Sequence, residues 1–416
     1  MFATIRRDAY PSEGSGRNLL VQPIPSLVTE SAATPAEPAS CVRLALLGDP
    51  NSIHVRRWAI FFAERGHQVT LLVPAGLSVD PGLPASIALE SFRRFNPRSI
   101  FAPFSFLRSR RSVRKAVGRV KPDILNAHFL TIHGWNAWMS GFHPYAVTLW
   151  GSDIYIGPRK WRAVRMMARL TLRAADLVMA DSADLKRGAE ELGSRPQRTE
   201  LIGWGVDLDR FSGGPAPAEL RARLGLDGRR VVFSPRAIMP LYRQGVVLEA
   251  LAQLPPDVAV VMSRQNSDPA EVAAVQSRAA SLGIADRVVI VSGIPHAEMP
   301  DFLRLADVVV SIPVSDSTSV TLLEALACER QVVAADLPSV REWLADLDPE
   351  SMVPSDDAAA TATALSRALG RSVAERSAIG LRGRAVVRDR ADQAASLGNV
   401  ERLYLKLRRE SAGRTL

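Results

Sequence analysis

Ten short, nearly unbroken runs of β-branched and aliphatic residues, each followed by a longer amphipathic stretch, constrain this chain more than any other feature. They fall at residues 42–47, 68–73, 123–127, 146–150 and 177–180, and the pattern restarts at 230–234, 258–262, 288–291, 308–312 and 332–335. A strand that is apolar on both sides must be covered on both faces, and helices between successive strands supply that cover; the combination demands parallel sheets. Two such series imply an α/β protein of two doubly wound, Rossmann-like domains. The break is expected near Phe211, Ser212, Gly213, Gly214 and Pro215, where glycine and proline extend neither kind of element. The expected division is 41–212 for a first domain, 213–390 for a second, and 391–416 for a helix packing back toward the first. Ligands of such sheets sit at the carboxyl ends of the strands, so an active site in a central cleft faced by both domains is expected.

The 416 residues exceed one ordinary hydrophobic core, and 47% apolar with 23% charged residues is the composition of globular domains. No run approaches the length of apolar residues a membrane-spanning helix requires, and the N-terminus lacks the apolar core of a signal peptide, which predicts a cytoplasmic protein. Residues 1–40, rich in Ser, Pro and Ala without a period, read as a disordered extension. Cys41 and Cys328 lie far apart without metal-ligand spacing, so both are expected to be reduced and buried, with neither a disulfide nor a metal site.

The net charge of +9 is concentrated. Residues 91–121 hold ten basic side chains and no acidic one, interleaved with Phe92, Phe95, Phe101, Phe104, Phe106 and Leu107. A second stretch, Arg159, Lys160, Arg162, Arg165, Arg169 and Arg173, recurs at helical spacing around Met166, Met167 and Leu170. Cations beside apolar side chains suit an anionic membrane surface, and the expected partner of residues 91–121 is such a membrane, peripherally, at its inner face. A solvated basic face explains the same residues equally well. Nucleic acid is not expected, because no recognition motif accompanies the charge.

The chemistry concentrates at Ser315, Asp316, Ser317, Thr318, Ser319, Val320, Thr321, Leu322, Leu323, Glu324 and Ala325. An apolar strand ends at Pro313, a hydroxyl-rich turn comes next, and a helix begins. Such a helix start offers backbone N–H groups to a phosphate or sugar hydroxyl. Glu324, expected in or near the first helical turn, is suited to accept hydrogen bonds from a ribose diol. The alternative is that Asp316 and Thr318 merely cap the helix.

This stretch resembles the acidic-x7-acidic motif of the retaining family-four glycosyltransferases, the glycosyl transferases group 1, which have the GT-B fold. The resemblance runs through most of residues 41–345. Arg65-Gly66-His67-Gln68-Val69 is similar to the family's early Gly-His-x-Val segment, and Ala175 to Ser182 to its pattern before the interdomain connection. Gly205-Val206-Asp207 with Phe211 is similar to the segment closing its first domain. The resemblance implies Glu324 as ribose ligand, and Asp316, Ser317, Thr318 and Ser319 as contacts of donor sugar and diphosphate. Gly293, in Ser292-Gly293-Ile294-Pro295, lies where relatives bind the base. Arg236, after the first strand of the second domain, implies a diphosphate partner, and Arg243 is the substitute for the family's second cation, with an exposed arginine at a helix start as the other reading. The family needs no metal or other cofactor beyond the nucleoside diphosphate sugar donor.

Several positions depart from the family pattern. Asp316 is one methylene shorter than the usual Glu. Where many relatives carry a histidine, the turn reads Thr148-Leu149-Trp150-Gly151-Ser152-Asp153, and an indole only donates. Asp153, His128 or His133 is expected to take over that histidine's role, with a structural part equally open for either histidine. The first loop has one glycine, Gly48, and Asn51, His54 and Arg57 join Trp150 as acceptor-side candidates, with an outward-facing helix start as the other reading. The reaction implied is transfer of a hexosyl group, with retention, to a hydroxyl acceptor: a glycan, a lipid-linked glycan or a small molecule, in cell-surface polysaccharide or glycolipid assembly. A non-catalytic GT-B paralogue that binds a nucleotide sugar and assists a partner enzyme is the alternative, and an epimerase of the same fold a more distant one.

Overall fold

The computed structural model describes residues 41–93 and 102–413, and for residues 102–104 it describes the backbone alone. The described residues form two units, one of residues 205–393 and one combining those from 41 to 204 with residues 394–413.

The N-terminal unit is built on seven strands: β1 Arg43–Leu47, β2 Gln68–Pro74, β3 Ala88–Phe92, β4 Ile124–His128, β5 Tyr145–Thr148, β6 Leu177–Ala180 and β7 Thr199–Leu201. All pair in parallel in the order β3-β2-β1-β4-β5-β6-β7. The central strands are buried on both faces. One face is covered by Trp58 and Phe62 of the helix Ile53–Glu64 and by Leu397, Val400 and Tyr404 of the last helix, Gln393–Gly413. The other is covered by Val113 of the helix Ala102–Val120, Ala137 of Trp135–Ser140 and Leu172 of Arg162–Ala174.

The last helix therefore belongs to the N-terminal sheet. Glu401 fixes it there, accepting from Arg65 Nε and bonding His67 Nε2, each at 2.7 Å. His67 Nδ1 accepts from the Val42 N–H at 3.2 Å, which leaves the ring proton on Nε2 for Glu401. The Gly-His segment thus joins the first strand, the turn before the second and the end of the chain.

The C-terminal unit has six strands: β8 Arg230–Ser234, β9 Val258–Ser263, β10 Val288–Val291, β11 Val308–Ser311, β12 Gln331–Ala335 and β13 Met352–Val353. They are parallel in the order β10-β9-β8-β11-β12-β13. Leu326, Trp343 and Val387 cover one face, and Val247, Leu251, Val275 and Leu365 the other. Helices of this unit start where side chains take orphan N–H groups: Asp268, Ser319, Asp357 and Ser372 each cap one, the last in a reciprocal pair with Glu375.

The changeover between units sits at residues 204/205 and 393/394, against the expected 212 and 390. Backbone bonds explain it. Val206 N–H donates to Ala391 O at 2.8 Å and Gln393 N–H to Val206 O at 3.0 Å, while Arg384 grips the carbonyls of Leu208 and Phe211. The expectation of two buried cysteines fails for Cys41, which is exposed; Cys328 is buried, and burial pushes its thiol up to about 12. Residues 1–40, with their expected disorder, and 94–101, with Arg94, Arg98, Phe95 and Phe101, lie outside the described residues, as do the side chains of residues 102–104, Phe104 among them.

Candidate active site

The carboxyl ends of the neighbouring strands β8 and β11 carry the charged cluster of the C-terminal unit. After β8 the chain turns at Pro235, and Arg236 points its Nη1 to Asp316 Oδ2 at 2.9 Å and to Ser319 Oγ at 2.6 Å. The Tyr242 ring lies 4.2 Å from its guanidinium carbon. Gln244, buried, holds this turn by accepting from Ser234 Oγ at 2.8 Å and donating to Arg236 O at 3.1 Å. Burial works against both charges of the pair. Asp316 ends above the usual carboxylate range, because Arg236 and the Ser317 N–H only partly offset burial. Arg236 keeps its proton more firmly than an ordinary arginine, because Asp316 and Tyr242 outweigh burial.

Ser317, Thr318 and Ser319 are all buried. Ser319 caps the helix Val320–Ala327 by accepting from Leu322 N–H, and Thr318 Oγ1 accepts from Trp343 Nε1 at 3.4 Å. The cap is Ser319, so Asp316 and Thr318 do not hold that position. Asp316 instead faces Arg236, and its backbone carbonyl accepts from Ser339 Oγ at 3.1 Å.

Glu324 is the fifth residue of this helix, just past its first turn. It is buried, and its Oε1 lies 3.3 Å from His296 Nε2. Arg210 Nη1 reaches His296 Nδ1 at 3.0 Å. An arginine only donates, so Nδ1 accepts and the ring proton sits on Nε2, directed at Glu324. Gly293 is exposed after β10, and a Cβ there would meet nothing closer than Gln265 at 4.0 Å, so the fold itself does not require glycine. Arg243 takes a left-handed conformation, φ +51°, at the start of the helix Gln244–Leu251, half-buried, with its Nε meeting no acceptor among the described residues.

The strand ends of the N-terminal unit differ in character. After β4, Phe129 adopts φ +79° before a π-turn at Leu130–Gly134; after β5, Gly151 adopts φ +92°. A bulky residue with positive φ is strained and persists only where its surroundings hold it. Asp153 does the holding. It is buried, with Oδ2 accepting from Leu130 N–H at 2.7 Å and Oδ1 from Trp150 N–H at 3.1 Å, and so staples the two turns together. Burial pushes its carboxyl up to about 6, against the pull of those amides.

Around the staple the rings pack edge to face. Trp150 lies 5.3 Å from His54 and 5.2 Å from Trp204, and Trp58 lies 4.7 Å from His128. Trp204 Nε1 donates to Asp181 Oδ2 at 2.6 Å. His128 is buried and accepts at Nε2 from Asn126 Nδ2 at 3.2 Å, so its proton is on Nδ1, which meets no partner among the described residues. Burial lowers its pKa to about 3, with the nearby His133 and His54 adding to the effect. His128 is therefore a neutral donor at neutral pH, ill suited to collecting a proton as a base. His133, also buried, lies in the π-turn.

Asn51 spends its amide locally, donating to Ser78 O and accepting from Asp80 N–H, each at 2.9 Å. His54 and Arg57 stand one turn apart on the helix after β1 and are both half-buried. Gly48 is required there: a Cβ would come within 2.8 Å of Val55.

Residues 43–182 match the family model described as Glycosyl transferase 4-like, and residues 228–371 match Glycosyl transferases group 1. The chain belongs to the group 1, family-four glycosyltransferases of GT-B fold. The D-inositol 3-phosphate glycosyltransferase of Frankia alni is 31% identical over 276 residues, 59% of this chain and 65% of that protein. The next two curated relatives of that name are matched over 46% and 47% of their length, so the chain spans about half to two thirds of these relatives. Among solved structures, sucrose-phosphate synthase of Thermosynechococcus elongatus superposes with a TM-score of 0.74 at 20% identity, covering 88% of this chain and 98% of the other. Anabaena HepE in complex with UDP-glucose superposes with a TM-score of 0.72 at 19% identity, covering 87% and 99%.

Within this GT-B framework the structure brings together Arg236, Asp316 and Ser319, with Glu324 further along the helix that Ser319 caps. His128, Trp150 and His54 share the aromatic cluster of the other unit, and Asp153 anchors the turn beneath Trp150. His296, Arg210, Gln244, Asp181 and Trp204 are the polar and aromatic partners that sequence reasoning missed. His296 stands three residues beyond Gly293, and only the fold shows that this loop reaches Glu324. Among the described residues no group of three or more His, Cys, Asp or Glu side chains is placed to hold a metal ion.

Proposed function

We propose that this glycosyltransferase moves a hexosyl group from a nucleoside diphosphate sugar to a hydroxyl acceptor with retention of configuration. The observation that carries the reading is Arg236, fixed by Asp316 and Ser319 at the head of the helix whose second turn bears Glu324. A diphosphate gains negative charge as the bond to the sugar breaks. A guanidinium already oriented by neighbours meets that charge without reorganising, which is the condition for lowering the barrier.

In this reading Glu324 accepts from the ribose hydroxyls, while Asp316 and Ser317 to Ser319 meet the sugar and the phosphates, with Arg243 as the second cation and Gly293 beside the base. The acceptor oxygen bonds to the anomeric carbon on the face from which the diphosphate leaves. The bond to the diphosphate breaks, and a phosphate oxygen takes the acceptor's proton. Asp316 is tied to Arg236 and Asp153 to two backbone amides, so neither is posed as a covalent nucleophile. His54, Arg57 and Trp150 serve the acceptor, and His128 acts as a hydrogen-bond donor. We assign the reaction to the cytoplasmic side of a membrane, with a lipid-linked or membrane-borne glycan as acceptor in polysaccharide or glycolipid assembly.

The test is thermal stabilisation by a panel of UDP-, GDP- and ADP-sugars, UDP-glucose first, followed by the anomeric configuration of the product. A cognate donor present at 100 times its Kd stabilises by about 2.7 kcal/mol. No stabilisation by any of the panel, or a product of inverted configuration, overturns the reading.

A further inference from the structure

The outer surface of one helical layer in the N-terminal unit carries charge and apolar side chains that the transfer reaction does not use. The helix Arg162–Ala174 buries Ala168, Thr171 and Leu172 against the sheet. At 100° per residue, its exposed side chains Arg162, Arg165, Met166, Arg169, Leu170 and Arg173 fall on one face. Met166 is 61% exposed and Leu170 39%, and Trp161, just before the helix, is 53% exposed. Exposed large apolar side chains gathered in one place mark an interaction site more often than singly scattered ones do.

The charge on this face is of one sign. Six basic residues lie between 159 and 173, and no acidic residue occurs from 154 to 175. Among the described residues none of the six forms an ion pair; Arg159 and Lys160 rest on the rings of Tyr155 and Trp161 instead. The layer continues on both sides. The helix Trp135–Ser140 packs against Arg162–Ala174 and also against Ala102–Val120, and all three bury residues in the same core. Ala102–Val120 presents Arg108, Arg110, Arg111, Arg114 and Lys115 outward, with Leu107 exposed among them; Ile132 is exposed in the π-turn. Neighbouring elements of one layer thus expose cations interleaved with Trp, Met, Leu and Ile.

We infer that this face docks on an anionic lipid bilayer, with Trp161, Met166 and Leu170 entering the interface and the arginines of Arg162–Ala174 lying among the headgroups. Long basic side chains bury their stems and keep the charge at headgroup level, and an aromatic ring suits the same boundary. Among the described residues no helix is long and apolar enough to cross a membrane, so the contact is peripheral. The inference deepens the proposed membrane-borne acceptor by shifting the contact from residues 91–121 alone to a surface centred on residues 159–173.

The full chain is tested by sedimentation with vesicles of phosphatidylcholine alone and with about one-third phosphatidylglycerol, over a salt series. Binding to the anionic vesicles only, falling as salt rises, is expected. Combined replacement of Arg162, Arg165 and Arg169 by Glu should weaken it on the order of 100-fold or more, at roughly a factor of five to ten per cation removed. Combined replacement of Trp161, Met166 and Leu170 by Ser should weaken it while keeping its salt dependence. Stabilisation by the cognate nucleotide sugar should be the same in both variants, which keeps failure of this inference separate from failure of the proposed reaction. Equal binding to neutral vesicles, equal binding by the charge-reversed variant, or capture of RNA without capture of anionic vesicles overturns the inference.

Discussion

The strand ends of the two units share a topology and differ in what they do with charge. In the C-terminal unit, Arg236 meets Asp316 at 2.9 Å, and His296 stands between Arg210 and Glu324, so ionisable side chains face one another in pairs. In the N-terminal unit the equivalent turns are wrapped by Trp58, Trp150 and Trp204. There the titratable groups are driven toward neutrality: His128 to about 3 and Asp153 to about 6. One parallel fold thus carries ion-paired side chains at the strand ends of one unit and packed aromatic rings at those of the other. A charged partner offsets the cost of burial, as Asp316 does for Arg236, and burial without one shifts a group such as His128 toward its neutral form.

Arg236→Ala is the harshest way to break this contrast. Loss of a preformed charge partner should lower turnover on the order of 100- to 1,000-fold, with a far smaller change in nucleotide affinity. The check is kcat alongside Kd and thermal stability; a fall in stability with no separate effect on kcat would make the ion pair a structural feature only. Asp153→Ala, in the other unit, should instead act through stability, because two turns, one of them strained at Phe129, lose their shared staple.

A finer probe is ribose recognition. If Glu324 takes the ribose and His296 orients it, Glu324→Ala should weaken UDP roughly 10- to 100-fold, the range for hydrogen bonds to a charged group. It should also erase the preference for UDP over 2′-deoxy-UDP. His296→Ala should reduce that preference more mildly, and His296→Gln, which retains a donor, should restore part of it. Calorimetry with the two nucleotides reads the ratio, which a loss of general stability does not move.

The smallest effect expected is on acid stability. His128 has a pKa near 3 in the fold, below the ordinary value of about 6.5, so the stability tied to its neutral form is complete above about pH 6.5 and drains away as pH falls toward 3. Asp153 runs the other way: its raised pKa means that stability falls as pH rises through the interval up to about 6. Removing the histidine with His128→Gln should therefore lessen the loss between pH 7 and 5, as read by urea unfolding at the two pH values. An unchanged pH dependence would remove His128 from the account.

Much of the fold was legible because its central strands are apolar on both faces and need no context to be recognised. The strands that escaped notice are at or beside sheet edges. Ala88–Phe92 exposes Leu89 and carries Glu90, Thr199–Leu201 has three residues, and Met352–Val353 has two. An edge strand has one neighbour and less burial, so its composition carries less signal. The segment from Ser315 to Ala325 was legible because its residues are consecutive. The approach of His296 to Glu324 was not, because it comes from a loop 28 residues earlier in the chain.

The sequence by itself determined two parallel α/β units, the hydroxyl-rich helix start and the basic character of residues 159–173, since each is a local pattern with its own periodicity. Only the tertiary structure decided the long-range partners. Arg210, His296 and Glu324 come from three separate segments; Glu401 reaches Arg65 and His67 across 336 and 334 residues. That Asp153, a catalytic candidate in the sequence, also ties two turns together is visible only in the fold. A side chain's chemistry depends on whether burial leaves it a partner, and in this chain the partners are supplied by segments remote in sequence.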